Sequence, residues 1–149
     1  MADNDVEFAD RLGRQRARML PLLAIMFLTQ QASFFTSRIE DPTRAVDHVR
    51  VGAWLLLSVV LLLMLTTGGA LIRRRSVRAL LNDEVTRANR TEAMRLGFIT
   101  TMFGGVALYV ITFFEFVGGR EAIHLVMTIG IATALLRFGI LERRAHKGG

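Results

Sequence analysis

The sequence predicts an all-α membrane protein with four transmembrane helices packed as an antiparallel bundle, both termini cytoplasmic. Three observations lead there. Val51 to Ile72 is an uncharged run of 22 residues followed at once by Arg73, Arg74 and Arg75. Apolar residues make up 52% of the 149-residue chain and are gathered in long blocks instead of alternating with polar ones. The basic residues, finally, concentrate in every second connecting segment.

Residues 1–18 are polar, with four acids followed by four arginines, and read as a short cytoplasmic arm with a surface helix from Val6 onward. The first apolar block, residues 19–37, is strongly hydrophobic to Leu28 and is then interrupted by Thr29, Gln30, Gln31 and Ser33. A short apolar core behind arginines also suits a signal peptide. Gln30, however, occupies a position that cleavage before Ala32 would want small, and Phe34 and Phe35 resume the hydrophobicity. An uncleaved span is the preferred reading. Pro21 then falls in the first turn of that span, where a missing N–H is tolerated.

Residues 38–50 form a polar connection with a turn signal at Asp41-Pro42. The second span, 51–72, reaches about 33 Å as a helix at roughly 1.5 Å per residue, enough for the roughly 30 Å hydrocarbon core. Its backbone must satisfy itself in lipid, so the run is helical if inserted. A cytoplasmic loop, 73–95, follows. Within it Asn82 can cap a helix, Asp83 and Glu84 suit its first turn, and Asp83 can pair with Arg87 four residues on. No Gly or Pro intervenes before Gly97, so this helix is expected to run on into the third span, 96–117. Tyr109, Phe113, Phe114 and Phe116 gather at the far end of that span, as aromatic residues do at a membrane interface. Gly118-Gly119-Arg120 makes a turn, the fourth span covers 121–140, and 141–149 is a cytoplasmic tail.

Orientation follows from counting Lys and Arg. The arm, the middle loop and the tail from Arg137 hold 4, 7 and 4, whereas the two opposite loops hold 3 and 1. Fifteen against four is a clear positive-inside pattern, and cleavage of the first span leaves it unchanged for the other three. The same distribution argues against direct nucleic-acid binding despite the net charge of +6. The basic groups flank the spans, where each adds roughly 1 kcal/mol of attraction to anionic head groups. The lipid bilayer is therefore the first expected partner.

Few residues suggest chemistry. The chain has no Cys, which removes disulfides and thiol catalysis. No nucleophile, metal-ligand set or acid–base pair stands out, so no enzyme, cofactor or metal is expected. Glu115, Arg120, Glu121 and His124 crowd around the turn between spans three and four. Glu121 and His124 have the Glu-x-x-His spacing of carboxylate-bridged metal sites in helix bundles, but such sites need two pairs and only one exists here. A polar helix end with Arg120 paired to Glu115 is the plainer reading. Gln30 and Gln31, inside the first span, are expected to hydrogen-bond a neighbouring helix, or else to line a conduit. These six residues form a candidate intramembrane or interfacial polar site. Arg137 is expected to reach the cytoplasmic interface by snorkelling. Thr101 with Gly105, and Gly130 with Ala134, have the four-residue spacing of small-residue helix contacts, which suits bundle packing or homo-oligomer formation.

The stretch LNDEVTRANR from Leu81, the Gly97-Phe98 span and REAIHLVMTIGIATALLRFGILERR resemble a group of small four-span bacterial inner-membrane proteins. Somewhat similar proteins with an Asp-Glu-x-Thr-Arg stretch before a span, here Asp83, Glu84, Thr86 and Arg87, are often encoded beside helix-turn-helix regulators. The resemblance implies a multi-pass inner-membrane protein that captures or controls such a regulator, and no catalytic residues come with it. The chain departs from small multidrug transporters, which want a membrane-embedded Glu in the first span, and it lacks the histidine set of cytochrome b-type bundles. The expectation is thus a non-enzymatic interaction protein whose Asp83, Glu84, Arg87, Asn89 and Arg90 contact a cytoplasmic partner. The alternative is a small oligomeric transporter or channel.

Overall fold

A computed structural model of the chain describes residues 2–36, 45–67 and 84–145, all helical apart from the segment 112–118. Four helices follow one another: α1 Ala2–Thr36, α2 Ala45–Thr67, α3 Glu84–Ile111 and α4 Gly119–Ala145. Three of them, α2, α3 and α4, are long and apolar enough to cross a membrane. The remainder of the second expected span, 68–72, and residues 73–83 of the 73–95 loop lie outside the described residues.

Helix α4 is the centre of the fold, touching each of the other three. Half of its most apolar window is buried, against 6% for α3 and 22% for α2. It packs extensively against α1 on one side and α3 on the other, while α2 makes a lighter contact with α4 and α3. Each buried face repeats at helical spacing. On α1 it is Ala17, Leu20, Ala24, Phe27 and Gln31; on α2 it is Trp54, Ser58, Leu61 and Leu65. On α4 it is His124, Thr128, Ile131, Leu135, Phe138 and Glu142. Rising residue numbers along α1 and α3 meet falling numbers along α4, so both neighbours run antiparallel to it.

Close approach rather than bulk joins α3 to α4. A Cβ on Gly97 would stand 2.8 Å from the Cβ of Ala134 and 2.9 Å from the carbonyl oxygen of Gly130. The small residues that meet are therefore Gly97 and Thr101 on α3 with Gly130 and Ala134 on α4. Gly105, expected to pair with Thr101 at such a contact, faces nothing within 4 Å.

Pro21 departs from expectation. Helix α1 does not begin at the first apolar block but runs unbroken from Ala2, so Pro21 is interior. A proline there cannot donate to the carbonyl four residues earlier, which is that of Ala17. Arg143 supplies the missing donor, its Nε standing 3.1 Å from the Ala17 oxygen. One turn before Arg143, Gly139 makes room for the ring: a Cβ at Gly139 would lie 2.8 Å from both Cγ and Cδ of Pro21. Pro21 is tolerated because α4 completes α1.

At the other end of α3 the helix stops at Ile111, short of Val117. Residues 112–115 tighten into turns, with the Phe113 and Phe114 N–H groups donating to carbonyls three residues back. None of Phe113, Phe114, Glu115 and Phe116 is buried; Phe116 is 99% exposed. A helix continued through them would have had no buried face. Glu121 then lies in the first turn of α4, as expected.

Replacing Gly97 by Ala is expected to lower thermal stability in detergent by about 1–3 kcal/mol through overpacking. The same change at Gly105 should leave the melting curve where it was, and an equal loss at both positions would contradict the contact described.

Candidate functional site

Three of the buried faces carry polar groups at the same end of the molecule, near the α3–α4 turn. Gln31 lies towards the C-terminal end of α1, Trp54 in the first half of α2, and His124 in the second turn of α4. Each is under a tenth exposed. Nε2 of His124 donates to Oε1 of Gln31, which joins α1 to α4. The indole of Trp54 stacks on the His124 imidazole with ring centroids 4.3 Å apart and planes inclined by 28°. Ser58 and Thr128 sit one turn further along α2 and α4 on the same faces, both buried.

The geometry separates the six residues that the sequence grouped. Gln31 and His124 are brought together. Gln30, next in the chain, is half-buried and turned aside. Glu115, Arg120 and Glu121 are exposed, and no ion pair joins Glu115 to Arg120 among the described residues. Glu121 and His124, three apart, diverge: the carboxylate stays at the surface while the imidazole turns inward. No group of three or more potential metal ligands comes together among the described residues. Sequence reasoning missed Trp54, Ser58 and Thr128. The signal that could have found them was spacing, since Trp54 and Ser58, like His124 and Thr128, stand four apart within otherwise apolar runs.

The cluster is chemically one-sided. Among the described residues it holds an amide, an indole, an imidazole and two hydroxyls, and no carboxylate. Nε2 of Gln31, Nε1 of Trp54, Oγ of Ser58 and Oγ1 of Thr128 are buried without a hydrogen-bond partner among the described residues.

The residues expected to meet a partner lie at the opposite end. Asp83 is outside the described residues. Glu84 and Arg87 are exposed, whereas Asn89 and Arg90 are half-buried on the inward face with Thr86 and Ala93. Nδ2 of Asn89 donates to Oε1 of Glu142 at 3.2 Å, and Glu142 itself is only 1% exposed. Arg137, expected to snorkel to the cytoplasmic interface, approaches Glu92 of α3 at 3.4 Å. Both partners are partly exposed, so that pair contributes about 0–1 kcal/mol.

No protein-family model matches this chain, and comparison with curated proteins and with solved structures yields no match.

Gln31→Leu and His124→Leu should each destabilise the protein by about 0.5–2 kcal/mol, the range for buried polar contacts between membrane helices. The double variant should lose less than the sum of the two, because the contact between them is lost only once. Strict additivity in a detergent unfolding cycle would show that the two residues are not coupled.

Proposed function

We propose that this chain is a non-enzymatic, multi-pass protein of the bacterial inner membrane that anchors or controls a cytoplasmic partner. In this reading all four helices span, with α1 crossing through its second half, and both termini are cytoplasmic. The breadth of exposed apolar surface supports a lipid surrounding: Leu56, Phe98, Phe103, Val106 and Phe114 are all more than 60% exposed, an outer surface too apolar for water. The positive-inside pattern supports the orientation.

The observation that carries the docking role is the division of the first turns of α3 into two faces. Thr86, Asn89, Arg90 and Ala93 turn towards the bundle, and Asn89 is tied to Glu142. Glu84, Arg87, Ala88, Thr91 and Arg95 turn away, at the spacing of one helix stripe. The outward face is polar and mixed in charge, and it is carried on a helix continuous with the third span. A soluble partner, in the first instance a helix-turn-helix regulator, would meet Glu84 and Arg87 there. Asn89 and Arg90 support the platform instead of contacting the partner.

A second reading, a small oligomeric transporter or channel, draws on the buried polar cluster of Gln31, Trp54 and His124. Gly105, open on its outer side, suits a helix from a second copy.

Charge reversal at Glu84 or Arg87 should abolish co-purification of the partner in mild detergent while leaving membrane insertion intact; partner capture retained by both variants would end the docking reading. A tag placed at residue 80 should be shielded from impermeant reagents in intact cells, and labelling from outside would reverse the orientation. Liposomes containing the protein should pass no common ion or solute under the first reading, and a saturable flux would favour the second.

A further inference from the structure

The unpartnered atoms of the polar cluster differ from the other polar groups of the helices. Thr29, Thr66, Thr67 and Thr100 each return the hydroxyl to the carbonyl four residues earlier, at 2.6–3.0 Å, which satisfies it within its own helix. All four lie outside the cluster. Ser58 and Thr128 have the same option and do not take it. Leaving a hydroxyl or amide buried without a partner costs a few kcal/mol in apolar surroundings, so four such atoms, on residues that contact His124 or stand one helical turn from Trp54 or His124, call for an occupant.

The chemistry of the four atoms selects it. Nε1 of Trp54 and Nε2 of Gln31 are donors only. The Gln31 oxygen is engaged by His124, so the amide has donors left to offer. The hydroxyls of Ser58 and Thr128 can donate as well. Among the described residues the cluster has no carboxylate, so these residues offer nothing to hold a metal cation or an ammonium group. His124 lies in the second turn of α4, and Arg120 stands at the start of the same helix. Side chains under a tenth exposed, enclosed by three helices, restrict the occupant to a small one.

We infer that Gln31, Trp54, Ser58 and Thr128 form an intramembrane binding site for a small monovalent anion of the halide class, with His124 orienting Gln31 and Trp54. The site does not depend on the cytoplasmic docking surface, which lies at the other end of the molecule. Buried water satisfying the same donors is the competing occupant.

Trp54 is the single tryptophan of the chain and touches the site, so its emission reports directly on it. The full-length protein in lipid nanodiscs is titrated with sodium bromide against sodium gluconate at constant ionic strength. A saturable change in Trp54 emission is expected, competed by chloride. Thr128→Val, which keeps the side-chain shape and removes the donor, should weaken the apparent affinity roughly tenfold, as for loss of a hydrogen bond to a charged group. Ser58→Ala serves the same purpose if Thr128→Val fails to fold by circular dichroism. Quenching that rises linearly with bromide and is the same in both variants would be collisional and would overturn the site, as would no response at all. Partner capture should be unchanged in Thr128→Val, so failure of the anion site and failure of the docking reading are told apart.

Discussion

In the membrane setting proposed for this chain, helices surrounded by lipid gain nothing from hiding apolar side chains on one another, because the lipid tails are as apolar as leucine. What holds them is close backbone approach and hydrogen bonds made across the gap. Everything in this fold depends on α4 supplying both to its neighbours. Towards α3 it offers Gly130 and Ala134, which let Gly97 come within contact of its backbone. Towards α1 it offers Gly139 as a recess for the Pro21 ring and Arg143 as donor to the carbonyl that proline strands. A proline that would break an isolated helix thereby becomes a fixed point of registry between two helices.

The two ends of α4 are held by different chemistry. At one end Glu142 meets Asn89 and Arg137 meets Glu92, so charged side chains on α4 and α3 hold the base of the bundle. At the other end the described contacts join His124 to Gln31 and stack Trp54 on the imidazole. Arg137 and Glu92 are partly exposed and keep hydration, whereas Glu142 is 1% exposed and accepts from Asn89; neutral amides, rings and hydroxyls are less costly to bury deeply. The charged end carries the proposed docking face and the neutral end the proposed anion site. The lighter contact of α2 with the rest includes the stacking of Trp54 on His124.

Parts of the candidate site were legible in the residues. Gln31 within an apolar block and His124 at the head of another are each expensive to leave unsatisfied, and that cost alone marks them in the sequence. Their union was not legible, since 93 residues separate them and helical periodicity says nothing about which helix lies opposite. The Glu-x-x-His spacing of Glu121 and His124 pointed to one shared face, yet three residues along a helix still turn a side chain by about 60°. That angle is enough to put one at the surface and the other inside. The acid-and-arginine stretch before the third span likewise divides between two faces, which only the packing against α4 resolves.

The sequence by itself determined the helical elements, the long continuous helix that enters the third apolar block, and the apolar runs able to cross a bilayer. Those follow from local causes: unbroken hydrophobic length, helix-start residues, and the need of backbone groups in lipid to satisfy themselves. Only the tertiary structure decided that the last helix is the hub, that Pro21 sits inside a helix, and that Gln31, Trp54 and His124 share one site. Those depend on which faces meet and how closely, and that is set by the sub-ångström fit of small residues between helices distant in sequence.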